Sequence, residues 1–172
     1  MRNKKGQFDF PIITFVVIVV GLLVLAPVIL KIVNGTLNPF QKALANTPTG
    51  NESGAVSNVT SVHSTFVSFW DGVLVFAFLF AVLLLFISAF LIDTNIFFVV
   101  LYIFVLFLTI VFAPNVLEAI NKIYNSGQFA QEVSTLAFMD FIRLNFGLII
   151  TVVGILTMII MYAKIKFFPA QS

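Results

Sequence analysis

Few side chains in this sequence are suited to chemistry, and their spacing works against it. His63 is the only histidine and cysteine is absent. A zinc site would therefore need carboxylates alone beside one imidazole, and no thiolate nucleophile or disulfide can form. Neither a Ser-His-Asp set nor an HExxH helix can be assembled around His63, which lies in a polar stretch and reads as a solvated residue. The expectation is a chain that is not an enzyme and has no catalytic, cofactor-binding or metal residues. Ion- or proton-coupled transport would place an ionisable group inside an apolar run, because only function offsets its cost there. Asp71 and Asp93 instead stand at the ends of such runs, whose interiors offer only hydroxyls such as Thr14, Ser88, Thr109, Thr151 and Thr157. This argues against a proton relay within one subunit and leaves open a hydrophobic pore made by several.

Two processing signals are present. Asn34, Asn51 and Asn58 each begin an N-x-S/T sequon. Asn34 lies too near an apolar run to be a good acceptor, which leaves Asn51 and Asn58 as candidate glycosylation sites. The tetrapeptide Lys4-Lys5-Gly6-Gln7 resembles the start of archaeal pilin-type precursors, which are cut after the Gly. The resemblance covers only these four residues, and Pro11 stands where that pattern has Glu. It implies a processed surface protein.

The elements that would position these groups follow from composition. Of 172 residues, 60% are hydrophobic and 9% charged, against about 25% charged in soluble domains. Uncharged apolar runs cover 11–30, 73–92, 96–113 and 146–163, and about 20 such residues make a helix that crosses a hydrocarbon core of about 30 Å. Each Leu, Ile, Phe or Val favours insertion by about 0.3–0.6 kcal/mol, while one central charge costs about 2.5–3.5 kcal/mol. All four runs should insert. Barrel strands are excluded, being short and alternating. A net charge of +2 gives no footprint for nucleic acid.

The chain then divides into a basic N-terminus at 1–10, a first span at 11–33, a polar outer loop at 34–65, a second span at 66–92, a tight turn at 93–95, a third span at 96–114, an outer amphipathic segment at 115–145, a fourth span at 146–163 and a basic tail at 164–172. The first run is too long for a signal-peptide core and lacks an Ala-x-Ala exit, so it reads as a retained span. Residues 34–65 are rich in Asn, Ser, Thr and Gly, with Pro39 and Pro48 as breakers, and read mostly as loop. Asp93-Thr94-Asn95 predicts a tight antiparallel hairpin between the second and third spans. Charges at Glu118, Lys122, Glu132, Asp140 and Arg143 rule out a fifth span. The helical spacing of Val116, Ile120, Ile123 and Tyr124 predicts short amphipathic helices along the interface. Trp70 and Tyr162 are expected as interfacial anchors. Arg2, Lys4, Lys5, Lys164 and Lys166 crowd the short terminal segments, whereas Lys31, Lys42, Lys122 and Arg143 are spread over the long loops. The termini are therefore expected to be cytoplasmic or internal and the long loops external.

A repeat runs through this plan. Val24-Leu-Ala-Pro27-Val-Ile-Leu30-Lys-Ile-Val-Asn34 matches Val111-Phe-Ala-Pro114-Asn-Val-Leu117-Glu-Ala-Ile-Asn121 at five of eleven positions. It predicts a parallel duplication of span, long loop and span. Pro27 and Pro114 are expected to kink their helices and turn the following residues along the interface. Gly147, Thr151 and Gly154 share a face of the fourth span and predict a close helix-packing seam. The fold expected is an all-α membrane protein of four transmembrane helices arranged as two hairpins. The function expected is a non-catalytic structural or assembly protein in a cell or viral membrane, with lipid and other membrane proteins or further copies as partners. The alternative is a pore-forming or transport subunit, including a holin-like permeabiliser.

Overall fold

A computed structural model of the chain describes residues 11–47, 54–91 and 96–167. The Lys4 to Gln7 motif, the Asn51 sequon and the Asp93 turn lie outside the described residues. Helices follow one another as α1 (Pro11–Ala45), α2 (Ala55–Leu91), α3 (Ile96–Tyr124), α4 (Ala130–Val133), α5 (Ala137–Leu144) and α6 (Phe146–Phe167), with no strand among the described residues. Four of them, α1, α2, α3 and α6, are long and apolar enough to cross a membrane. Pro11 occupies the first position of α1, where its missing N–H is not needed.

Each long helix buries one seam of the kind expected of bundle helices. Along α1 the seam runs Ile12, Phe15, Val19, Leu23, Ala26 and Leu30, and along α6 it runs Phe146, Ile150, Val153, Gly154, Thr157 and Met161. α1 packs most extensively on α2, α3 on α6, α2 on α6 and, less closely, α1 on α3. These four pairings close a ring in the order α1, α2, α6, α3. The predicted side-by-side pairing of the second and third spans is corrected here: α2 and α3 face each other across the ring. Their companions explain this, because α1 and α6 each offer a buried seam to both. Outside the seams the perimeter stays apolar, with Phe76, Phe104 and Phe107 more than half exposed. Hydrocarbon suits such a surface, whereas contiguous apolar patches above a few hundred Å² are rare on soluble monomers.

The largest departure from expectation concerns residues 34–65. α1 continues through Pro27 and Pro39 to Ala45, and α2 begins at Ala55, so most of this stretch is helix, not loop. At 1.5 Å per residue, the 35 and 37 residues of these helices give lengths of about 52 and 55 Å. Each overruns the hydrocarbon core by about 20 Å. The hydroxyls that suggested a loop are absorbed by the helices themselves: Thr36, Thr60 and Ser61 donate to the carbonyls of Ile32, Val56 and Ser57, each four residues back. α3 likewise runs unbroken through Pro114 to Tyr124. Neither repeated proline ends its helix. The helix breaks at 125–127, and the segment after it divides into α4 and α5.

Candidate functional site

Polar side chains gather at the end of the bundle where α3 finishes, beyond the apolar runs, and the helix geometry explains why. Pro27 has no N–H, so the carbonyl of Leu23 loses the donor it would have had four residues on. The Tyr124 hydroxyl fills the gap, donating to Leu23 O at 2.7 Å from the last residue of α3. Both residues are buried. A defect in one helix is thus satisfied by its neighbour, which ties α1 to α3.

Arg143 in α5 lies over the ring of Tyr124, with its guanidinium carbon 5.5 Å from the centroid. Its Nε donates to Asp140 Oδ1 at 3.0 Å, and its Nη1 donates to Asn121 Oδ1 at 2.6 Å. This guanidinium is thus held by Asp140, Asn121 and the Tyr124 ring. Asp71 of α2 serves α5 differently. The first turn of α5 has no side-chain cap of its own, and both Asp71 carboxylate oxygens accept from Phe138 N at 3.3 Å. An acid beside a helix N-terminus satisfies a free N–H and meets the positive end of the dipole. Lys31 of α1 completes the set, 4.7 Å from the centre of the Phe129 ring just before α4.

Beyond this network the last third of α1 and the first third of α2 run side by side as a two-helix projection. Gln41 Nε2 donates to Thr60 Oγ1 at 3.1 Å, and His63 Nε2 lies 2.6 Å from Asn34 Oδ1. His63 is therefore not a freely solvated residue. It is half-buried and bridges the two helices, because the helical continuation of α1 carries Asn34 alongside it. The outward face of the projection is polar with little charge, and includes Asn38, Lys42, Ser57, Ser61 and Ser64, together with exposed Phe40 and Val62.

The other residues singled out in the sequence fall as follows. Gly154 of α6 faces Leu106 of α3, and a Cβ there would collide with the Leu106 Cδ1 methyl. Tyr102 also donates to the Gly154 carbonyl, at 3.1 Å. Gly147 is not in this seam, since a Cβ there would meet no atom within 4 Å, and Thr151 is half-buried with its hydroxyl turned back to the Gly147 carbonyl. The expected small-residue face is corrected on this point: the buried stripe of α6 passes through Phe146 and Ile150, which rotates Gly147 to its edge. Trp70 stacks on Phe66 with centroids 6.5 Å apart, and its Nε1 is buried without a hydrogen-bond partner among the described residues. Tyr162 is exposed near the end of α6. Asn58 is exposed in the first turn of α2, while Asn34 is engaged by His63.

Among the described residues no group of three His, Asp or Glu side chains could hold a metal ion. Tyr124, Asn121 and Arg143 were not legible as a site in the sequence. The one available signal was Pro27, which implies an orphaned carbonyl, combined with a tyrosine on the apolar face of 116–124 whose hydroxyl needs a partner when buried. Compared with protein-family models, curated proteins and solved structures, the chain finds no match.

Proposed function

We propose that this chain is a non-catalytic assembly protein of a membrane, anchored by four spans and meeting its partners through the paired outer halves of α1 and α2. The observation that carries this reading is the projection itself: about 20 Å of helix pair beyond the hydrocarbon, pinned by the Gln41–Thr60 and Asn34–His63 contacts. Two ordered helices outside the membrane form a surface that a partner can meet without first paying the entropy of folding a loop. Below it, the bundle interior is filled by apolar side chains such as Leu23, Leu85, Leu106 and Ile150.

The finer organisation belongs to the same proposal. The chain is two hairpins, α1 with α2 and α3 with α6, derived from one duplicated unit and related by an axis along the membrane normal. The repeated Asn34 and Asn121 support this, as each is held by a nitrogen from the segment following its own first span, His63 in one half and Arg143 in the other. α4 and α5 lie along the outer interface, where exposed Phe141 and Leu144 meet lipid. Both termini face the compartment opposite the projection, as the concentration of cations in the terminal segments favours.

The test is cross-linking from photoreactive residues placed at Phe40 and Val62 in native membranes, followed by sizing in mild detergent. Discrete adducts and a particle larger than one chain are expected. A strictly monomeric particle with no adduct from either position would overturn the proposal.

A further inference from the structure

The serine and threonine hydroxyls inside the four apolar runs fall into two groups. Thr109, Thr151 and Thr157 each donate to the carbonyl four residues back at 2.8 Å, which satisfies a hydroxyl surrounded by hydrocarbon. Thr14 and Ser88 do not: neither hydroxyl has a hydrogen-bond partner among the described residues. Both line the same cleft, about 300 Å³ between the start of α1 and the end of α2, walled by Phe15, Ile18, Leu84 and Leu85 with the small Ala81 leaving room between them. Two unspent donors facing an otherwise apolar space call for an occupant that is apolar along its length and bears acceptors at one level.

Depth and charge narrow the choice. Ser88 lies three residues before Leu91, where α2 ends, about 4.5 Å along the helix axis, and the next charge in the sequence is Asp93, a residue type that marks the end of a span. The headgroup region of each leaflet is about 5–8 Å thick, so the two hydroxyls lie where lipid ester carbonyls meet the hydrocarbon. The surrounding sequence is cationic. The chain enters Pro11 from a segment holding Arg2, Lys4 and Lys5, and Lys164 and Lys166 follow the fourth span, against Asp9 and Asp93. Lys164 lies over the ring of Phe90, two residues from Ser88, with Nζ 5.9 Å from the centroid. A transmembrane helix about 10–12 Å across is too wide for a cleft of this size, whereas one acyl chain fits it.

We propose that the α1–α2 cleft holds one anionic glycerophospholipid. Its ester carbonyls accept from Thr14 Oγ1 and Ser88 Oγ, one acyl chain lies along Phe15, Ile18 and Leu84, and its phosphate sits in the field of Lys164 and Lys166 at the end of α6. The inference does not depend on the assembly role proposed above.

The test uses the full chain in nanodiscs of equal phosphatidylglycerol and phosphatidylcholine, released for native mass spectrometry. The wild-type protein is expected to retain one phosphatidylglycerol in preference. The Thr14→Val/Ser88→Ala double variant, which removes both donors while keeping the shape, should retain it about tenfold less, as the loss of two net hydrogen bonds implies. Thr109→Val should retain it fully. If the double variant loses helicity by circular dichroism, Ser88→Ala alone, which deletes a single oxygen, should still reduce retention. Equal retention by wild type and variants, equal retention of phosphatidylcholine, or loss of chain dimers instead of lipid in the double variant would each overturn the proposal.

Discussion

Replacing Tyr124 by Phe removes one oxygen and leaves the packing of the ring in place. Its effect depends on a residue 97 positions away in the sequence, Pro27, since Pro27 is the reason Leu23 O needs an outside donor. A buried acceptor left unsatisfied costs about 1–3 kcal/mol, and hydrogen bonds between membrane helices measured by double-mutant cycles average about 0.6 and reach about 1.7 kcal/mol. Tyr124→Phe should therefore destabilise the bundle by about 1–2 kcal/mol, a change of about fivefold or more in the folded-to-unfolded ratio. In a Pro27→Ala background the new N–H at position 27 can donate to Leu23 O, so the same substitution should cost under about 0.5 kcal/mol. The assay is reversible unfolding in mixed detergent, followed by circular dichroism and by fluorescence of Trp70, the only tryptophan. An equal cost in both backgrounds would refute the link between the proline and the tyrosine.

Further outcomes are expected at the other helix contacts. Gly154→Ala should destabilise by about 1–3 kcal/mol as Leu106 is displaced, whereas Gly147→Ala should be neutral or stabilising by up to about 1 kcal/mol, both read from unfolding midpoints. Asp71→Ala should cost about 0.5–2 kcal/mol and speed hydrogen exchange at the Phe138 amide, which loses its acceptor. Asn34→Ala should make 34–45 and 55–65 more open to limited proteolysis while leaving the unfolding of the spans unchanged. Glu118→Gln removes an exposed pair with Lys122 and should shift the midpoint no more than the error of measurement.

The four spans were legible because lipid acts on a simple quantity, a run of about 20 residues without a charge, and 73–92 meets that criterion without exception. Residues 34–65 were misread for a local reason. Ser, Thr and Asn favour turns when their side chains compete for the backbone, but Thr36, Thr60 and Ser61 spend their hydroxyls inside the helix. A neighbour at the right distance then supplies the cross-helix contacts that make the extension worthwhile, and no window of sequence contains that neighbour. The prolines show the same limit. Pro27 reads as a kink from its own chemistry, yet its consequence depends on Tyr124 of another helix. Gly147 and Gly154 have the spacing of a common face, and only the position of the buried seam separates them. Asp71 read as a span-end charge, although its partner, the Phe138 amide, lies 67 residues on.

The central claim is that four helices cross lipid and that two of them continue outward as an ordered pair. With no native cysteine to remove, spin labels can be placed singly at Thr36, Ser61, Phe80 and Phe104 in the reconstituted protein, and their accessibility to oxygen and to a water-soluble nickel chelate compared. Labels at Phe80 and Phe104 should be exposed to oxygen and shielded from nickel, and those at Thr36 and Ser61 the reverse, with a paired Thr36/Ser61 label giving one narrow, short distance. Nickel access at Phe80 or Phe104, or a broad distance distribution between Thr36 and Ser61, would contradict the account.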